Sequence, residues 1–303
     1  MASRKRNAAS RGSDRDPRAD HTPARPSAGG AKSTSRADSS QTHTRARSPR
    51  PQDRDSRRSA AGQGASVWIW GSHATLAALA NPARSVSRLL LTDEARGRHD
   101  QELGNRVRAE MVGPAQIATL LPAGAVHQGL AALVKPLENP DLSESCEPTT
   151  GGRTVVLVLD QVTDPRNVGA ILRSAAAFGV KAIVATAAHS PPESGTLAKA
   201  ASGALERLPF VRVPNLVRAL ATLAELGYWS VGLDSAATET LDGARHQGAV
   251  ALVLGAEGSG MRRLTSEHCD FRARLATHPV EGATGSLNVS VAASVALYEL
   301  TRA

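Results

Sequence analysis

Residues 154–180 read TVVLVLDQVTDPRNVGAILRSAAAFGV. The run opens with six residues that are apolar except for Thr154, and its first charge is Asp160. A short, nearly continuous apolar run is what a strand buried on both faces of a parallel sheet looks like. Asp164-Pro165 then marks a turn. Residues 167–179 predict a helix that is small and apolar apart from Arg173.

The same alternation continues toward the C-terminus. Strands are expected at 181–185, 208–212, 228–233, 249–254 and 271–275. Helices are expected around 193–203, 215–226, 261–267 and 287–301. Alternating strands and helices of this kind build an α/β parallel sheet. Working upstream, ENPDLSESCEPTTGGR (138–153) is polar and rich in Pro and Gly, and reads as a linker. Before it lies a smaller α/β pattern over 66–137. It comprises a strand VWIW (67–70), a helix 71–82 with Ser72 as candidate cap, and a strand SRLLLT (87–92). A helix over 93–111, a short helix 116–121 and a strand within 127–137 complete it.

Residues 1–65 contain no Leu, Ile, Val, Phe, Trp or Tyr, and are expected to be a disordered basic tail. They hold 15 Lys+Arg and 6 Asp+Glu, a net of +9; the rest of the chain holds 21 and 22, a net of −1. The basic balance therefore belongs to the tail, which suits nonspecific attraction to RNA or a solvated segment without a specific role. Cys146 and Cys269 do not form a disulfide framework or a metal-ligand spacing, and suit a reducing compartment. No metal site is expected. No apolar run approaches the ~18 residues of a membrane span, and a cytoplasmic protein is expected.

Three polar segments fall at strand ends, where open parallel sheets bind ligands. The first places Asn167 and Gly169 at a helix start, with Arg173 six residues after Asn167. Asn167 is a candidate cap, and an Arg inside so apolar a helix is expected to need a partner. The second, VALVLGAEGSGMRRL (250–264), gives G-x-x-G-x-G at 255–260, with Glu257 inside it. Its spacing is not the dinucleotide-binding G-x-G-x-x-G, which opposes a nicotinamide-dependent oxidoreductase. The third is GSLNVSVAASVALYEL (285–300), where Ser286, Asn288 and Ser290 crowd the start of the last helix and exceed what one cap requires.

The three segments, N-x-G with Arg six after the Asn, L-G-x-E-G-x-G and S-L-N-V-S-x-A, resemble in order the three motifs of the SpoU-type RNA ribose 2′-O-methyltransferases of the SPOUT superfamily. The resemblance spans 154–303, and the 66–137 segment is similar to the small RNA substrate-binding domain that precedes the catalytic domain in some members. It implies a SPOUT-type parallel sheet with a C-terminal trefoil knot. It also implies S-adenosylmethionine as methyl donor, a homodimer and an RNA substrate. The two-domain layout is most similar to members that act on a guanosine of 23S rRNA, with tRNA the alternative substrate and a nonenzymatic RNA-binding protein the remoter reading.

Carried over by position, the resemblance implies catalytic roles for Asn167, Arg173, Glu257, Ser286 and Asn288. It implies cofactor contacts at Leu254, Gly255, Gly260, Leu275 and Leu287. One departure stands out. Members usually place an apolar residue and Pro before the third motif, whereas this chain has Leu275-Ala276 and a longer loop, which bears on the shape of the adenosine pocket.

Overall fold

The computed structural model describes residues 65–103, 108–242, 248–278, 280–281 and 286–302. The expected tail, 1–65, lies outside the described residues except for Ala65.

The first sheet is built from β1 (Val67–Trp70), β2 (Val86–Leu91), β3 (Ala109–Met111) and β4 (Leu130–Val134). Its strand order is β1-β4-β2-β3; β4 is antiparallel to both neighbours and β3 is parallel to β2. Helices α1 (Ser72–Ala80), α2 (Asp93–Leu103) and α3 (Pro114–Thr119) connect it. Two expectations need correction here. The helix expected over 93–111 ends at Leu103, and 109–111 is strand β3, because backbone pairing with the free edge of β2 overrides local helix preference. Ser72 is the first helical residue of α1 and not its cap; Gly71 takes the cap position, and the Ser72 N–H donates to the Gln128 side chain at 3.1 Å.

The segment read as a linker carries α4 (Leu142–Ser145), capped by Asp141, whose side chain accepts from the Glu144 N–H. It is packed in place. Cys146 is fully buried, and its carbonyl accepts from the Tyr228 hydroxyl at 2.7 Å. Burial pushes the Cys146 thiol up to about 11. The Asn139 side chain pairs with both the N–H and the C=O of Arg212, so it completes the ladder on the edge of the second sheet.

That second sheet holds six parallel strands in the order β10-β8-β9-β5-β6-β7. They are β5 (Thr154–Leu159), β6 (Ile183–Thr186), β7 (Phe210–Val213), β8 (Trp229–Leu233), β9 (Ala249–Leu254) and β10 (Phe271–Ala273). Every residue of β5 is buried, as its unbroken apolar run requires. Val155, Leu157 and Leu159 join the core on the face carrying α5 (Pro165–Ala177), α6 (Gly195–Ala201) and α9 (Val289–Thr301). Val156 and Val158 join the core on the face carrying α7 (Leu216–Glu225). Gly169 lets α5 and α6 touch: a Cβ there would stand 2.6 Å from the Leu197 carbonyl oxygen. A short helix α8 (Arg263–Glu267) follows the glycine-rich turn.

Candidate functional site

The site forms where β5, β8 and β9 run out at their carboxyl ends. Beyond Leu254 the chain turns sharply. A Cβ on Gly255 would stand 2.1 Å from the Gly260 carbonyl carbon and 2.2 Å from the Met261 nitrogen, so only glycine fits that position. Ala256 and Gly260 exchange backbone hydrogen bonds of 3.0 and 2.9 Å, which closes the turn on itself. Gly258 and Gly260 adopt φ of 83° and 67°, the left-handed region that glycine enters without strain.

A residue that the sequence reading passed over anchors this turn. Asp160, fully buried at the end of β5, accepts from the Arg262 N–H at 2.8 Å and from Arg262 Nε at 2.7 Å. Its sequence signal was a carboxylate ending an all-apolar strand, a group that must find a partner when buried. Glu257 lies in the turn, well before α8, and so is not a first-turn partner of that helix's dipole.

The turn borders a cavity of about 560 Å³, within the usual range for small-molecule and cofactor sites. All five positions assigned to the cofactor, Leu254, Gly255, Gly260, Leu275 and Leu287, line it. Glu257 and Ser286 line it as well. Asp234 and Arg274 are also in its wall and were not foreseen; Asp234, like Asp160, follows a strand end.

A chain of side-chain contacts crosses the rim. Asn167 Nδ2 donates to Glu257 Oε2 at 3.4 Å, and Asn288 Nδ2 donates to Asn167 Oδ1 at 3.1 Å. All three polar segments therefore meet. The crowding at the last helix resolves into separate tasks. Asn288 is the N-cap of α9, and its Oδ1 accepts from both the N–H and the hydroxyl of Ser290, at 2.9 and 2.6 Å. Ser294 donates to the Ser290 carbonyl and shares a 2.7 Å contact with Ser174, which ties α9 to α5.

Two expectations change. Asn167 is not the cap of α5; that place belongs to Asp164, whose side chain accepts from the Arg166 N–H, and Asn167 sits inside the first turn with its amide free to cross to α9. Arg173 does not have the internal partner expected of it. It is exposed on α5, so water solvates the charge, and it forms no ion pair among the described residues. No cluster with metal-ligating composition occurs among the described residues.

Comparison with known proteins follows this division of the chain. Residues 154–298 match the model of the SpoU rRNA Methylase family, and residues 68–140 match that of the RNA 2′-O ribose methyltransferase substrate-binding domain. The chain is 43% identical over 247 residues to the 23S rRNA (guanosine-2′-O-)-methyltransferase RlmB of Photorhabdus laumondii, covering 77% of this chain and 97% of that one. Against the protein of the same name in Pseudomonas aeruginosa it is 40% identical over 248 residues, covering 77% and 95%. Among solved structures it is similar to the SpoU methyltransferase AviRb from Streptomyces viridochromogenes in complex with its cofactor AdoMet. The TM-score is 0.63 at 22% identity, covering 78% of this chain and 89% of that one. With relatives of this identity matched over nearly their full length, the chain belongs to the SpoU rRNA methylase family.

Proposed function

We propose that this protein transfers a methyl group from S-adenosylmethionine to a ribose 2′-hydroxyl of 23S rRNA, at a guanosine. The observation that carries the reading is the contact chain Glu257–Asn167–Asn288. It joins three separate segments at the rim of a cavity whose wall holds every expected cofactor position.

The cavity suits the cofactor. Leu254, Leu275 and Leu287 offer apolar wall for an adenine ring. A Cβ on Gly258 or Gly260 would meet nothing within 4 Å, so the backbone of the turn is open to close approach. The bound cofactor supplies an electrophilic sulfonium methyl; the chain's residues must place and activate the hydroxyl. Asn167 and Asn288 orient the ribose, and Ser286 contributes a hydroxyl from the cavity wall. Arg173, exposed and without an internal ion pair among the described residues, holds a phosphate of the RNA. A guanidinium holds its protons firmly, so a role as positioning group with a transient part in the proton's departure fits better than that of a standing base. Alignment alone supplies several kcal/mol of barrier reduction, on the order of 7–11 in well-oriented systems.

The 66–137 segment acts as the RNA substrate-binding domain, 138–153 as the connection and 154–303 as the catalytic domain, with 1–65 as a basic tail. The working form is a cytoplasmic homodimer with a C-terminal trefoil knot. Support for the dimer comes from α9, whose Ala293, Ala296, Leu297 and Leu300 are fully buried while Val291, Val295 and Tyr298 are 48, 44 and 57% exposed. Such an apolar stripe at helical spacing suits a second copy of the chain. Support for the knot comes from the sheet order, in which β9 enters between β8 and β5 before the chain returns to pack α9 on α5. No helix among the described residues is long and apolar enough to cross a membrane.

The test is transfer of labelled methyl to unmodified 23S rRNA and to bulk tRNA, followed by ribose-methylation mapping. Label at one guanosine of 23S rRNA is expected. Label in tRNA alone would overturn the substrate, and label in neither would overturn the enzyme reading.

A further inference from the structure

The first sheet is held against the second by a buried ionic cluster. Arg84, in the turn after α1, has a side chain with no exposed surface. Its Nη1 donates to Glu193 at 2.5 Å and to the Lys135 carbonyl at 2.8 Å. Its Nε and Nη2 both donate to Glu206, the latter at 2.6 Å. Glu193 and Glu206 are 5% and 3% exposed. Burial opposes the Arg84 charge, but Glu206 and Glu193 overcome it and hold the guanidinium pKa above its ordinary value.

The two carboxylates belong to the second-sheet half, one before α6 and the other in the 3-10 turn Ala204–Glu206. Each is also held by a second group from the first-sheet half. Glu193 accepts from the Leu137 N–H at 3.1 Å, and Glu206 accepts from Asn81 Nδ2 at 2.8 Å.

The surrounding contact is flush. A Cβ on Gly195 would overlap the Trp70 ring at 1.8 Å and stand 2.4 Å from the Trp68 carbonyl oxygen, so β1 sits directly on the start of α6. Lys199 on α6 donates to Gln128 at 2.7 Å, the side chain that also receives the Ser72 N–H. Such packing sets how closely the two faces approach, but burial of apolar surface is non-directional and does not by itself select one orientation. A guanidinium fork answered by two carboxylates and a carbonyl is directional: its planar donors match their acceptors in one register only.

We propose that Arg84, with Glu193 and Glu206, fixes the first sheet in one orientation on the second in the free protein, and that this preset spacing selects which ribose reaches the cleft. Arg84 is thus a positioning residue for substrate choice. The site-selection part rests on the functional reading above; the fixed docking does not.

The test uses the full chain without RNA. Spin labels at Gln116→Cys on α3 and Arg218→Cys on α7, both exposed, report the separation of the two halves. The native thiols label poorly near neutral pH, because burial pushes Cys146 up to about 11 and Cys269 up to about 12. Doubly labelled chains are mixed with an excess of unlabelled protein, so that pairs within one protomer dominate even in a dimer, and one narrow distance population is expected. A broad or multiple distribution in the otherwise unaltered protein would overturn the proposal.

Arg84→Met should broaden that distribution. It should raise KM for 23S rRNA by about tenfold, with methylation spreading to other riboses, while cofactor affinity stays within about twofold. Glu193→Gln keeps the shape and a hydrogen-bonding group, and should give a weaker form of the same change. This second variant serves if Arg84→Met does not fold. A folded Arg84→Met with unchanged distance, KM and site choice would overturn the role of Arg84. Absence of methyl transfer by the unaltered protein would overturn the functional reading and the site-selection role together, while the distances would still decide the docking.

Discussion

Two polar clusters in this molecule use related groups and differ in what surrounds them. The side chains of Arg84, Glu193 and Glu206 are at most 5% exposed, and the guanidinium is satisfied from within the fold. At the cleft, Asn167, Glu257 and Asn288 touch through single contacts of 3.4 and 3.1 Å, and Arg173 stands in water. The first cluster has spent its hydrogen-bonding capacity on the fold. The second retains capacity for something outside it. Buried charges must be matched internally because their desolvation is costly, whereas a reactive site must keep donors and acceptors open until its ligand arrives. Charged residues of similar type are therefore sorted into scaffold and site by completeness of pairing more than by identity.

The largest effect that would sharpen the contrast is on stability. Removing one partner from a buried ionic cluster leaves the others uncompensated, and Arg84→Met should cost about 3–5 kcal/mol in urea unfolding. Trp68 and Trp70 on β1 and Trp229 on β8 supply the fluorescence signal from the two sheets. A loss below about 1 kcal/mol would place the Arg84 cluster with ordinary surface pairs and dissolve the comparison.

Arg173→Ala should do the reverse. Stability and cofactor affinity should hold, while methyl transfer falls by about a hundredfold or more, the scale of a lost proton-handling or positioning group. Single-turnover transfer beside calorimetric cofactor binding would separate the two. Unchanged transfer would leave the exposure of Arg173 without functional meaning.

The sequence was informative where chemistry is local. The six buried residues of β5 could be read from their apolar run, and the sharp turn at Gly255 from its glycines. The positions assigned to the cofactor came together in one cavity, because short motifs at strand ends are carried to the same edge of a parallel sheet. What stayed hidden depends on distant partners. Arg84 lies in an unremarkable turn, and its carboxylates are 109 and 122 residues away. Asp160 gives no hint of Arg262, 102 residues further on. Strand β3 was hidden for the same reason: only the edge of β2 makes 109–111 extended.

Within the site, the glycine turn offers a finer test of which backbone positions are packed and which are open. Gly255→Ala would force a Cβ to within 2.1 Å of Gly260 and should displace the turn, lowering cofactor affinity by about tenfold or more. At Gly258 the added Cβ meets nothing within 4 Å, so Ala there should cost only its left-handed backbone strain, about 1–2 kcal/mol. Equal losses of affinity at both positions would show that the close approach at Gly255 does not govern the pocket.

The smallest effect separates cap from site at Asn288. Its Oδ1 caps α9 by accepting from the Ser290 N–H, and its Nδ2 reaches Asn167. Serine caps as well as asparagine does but has no amide to donate across the rim. Asn288→Ala should therefore cost about 1 kcal/mol of stability, and Asn288→Ser only a few tenths. Methyl transfer should fall alike in both variants, because both lose the contact to Asn167. If activity instead follows stability, and Ser restores what Ala removes, then Asn288 serves the helix and belongs with the scaffold. Equal loss with unequal stability would assign one side chain to both clusters' kinds of work, with its oxygen completing the fold and its amide left for the reaction.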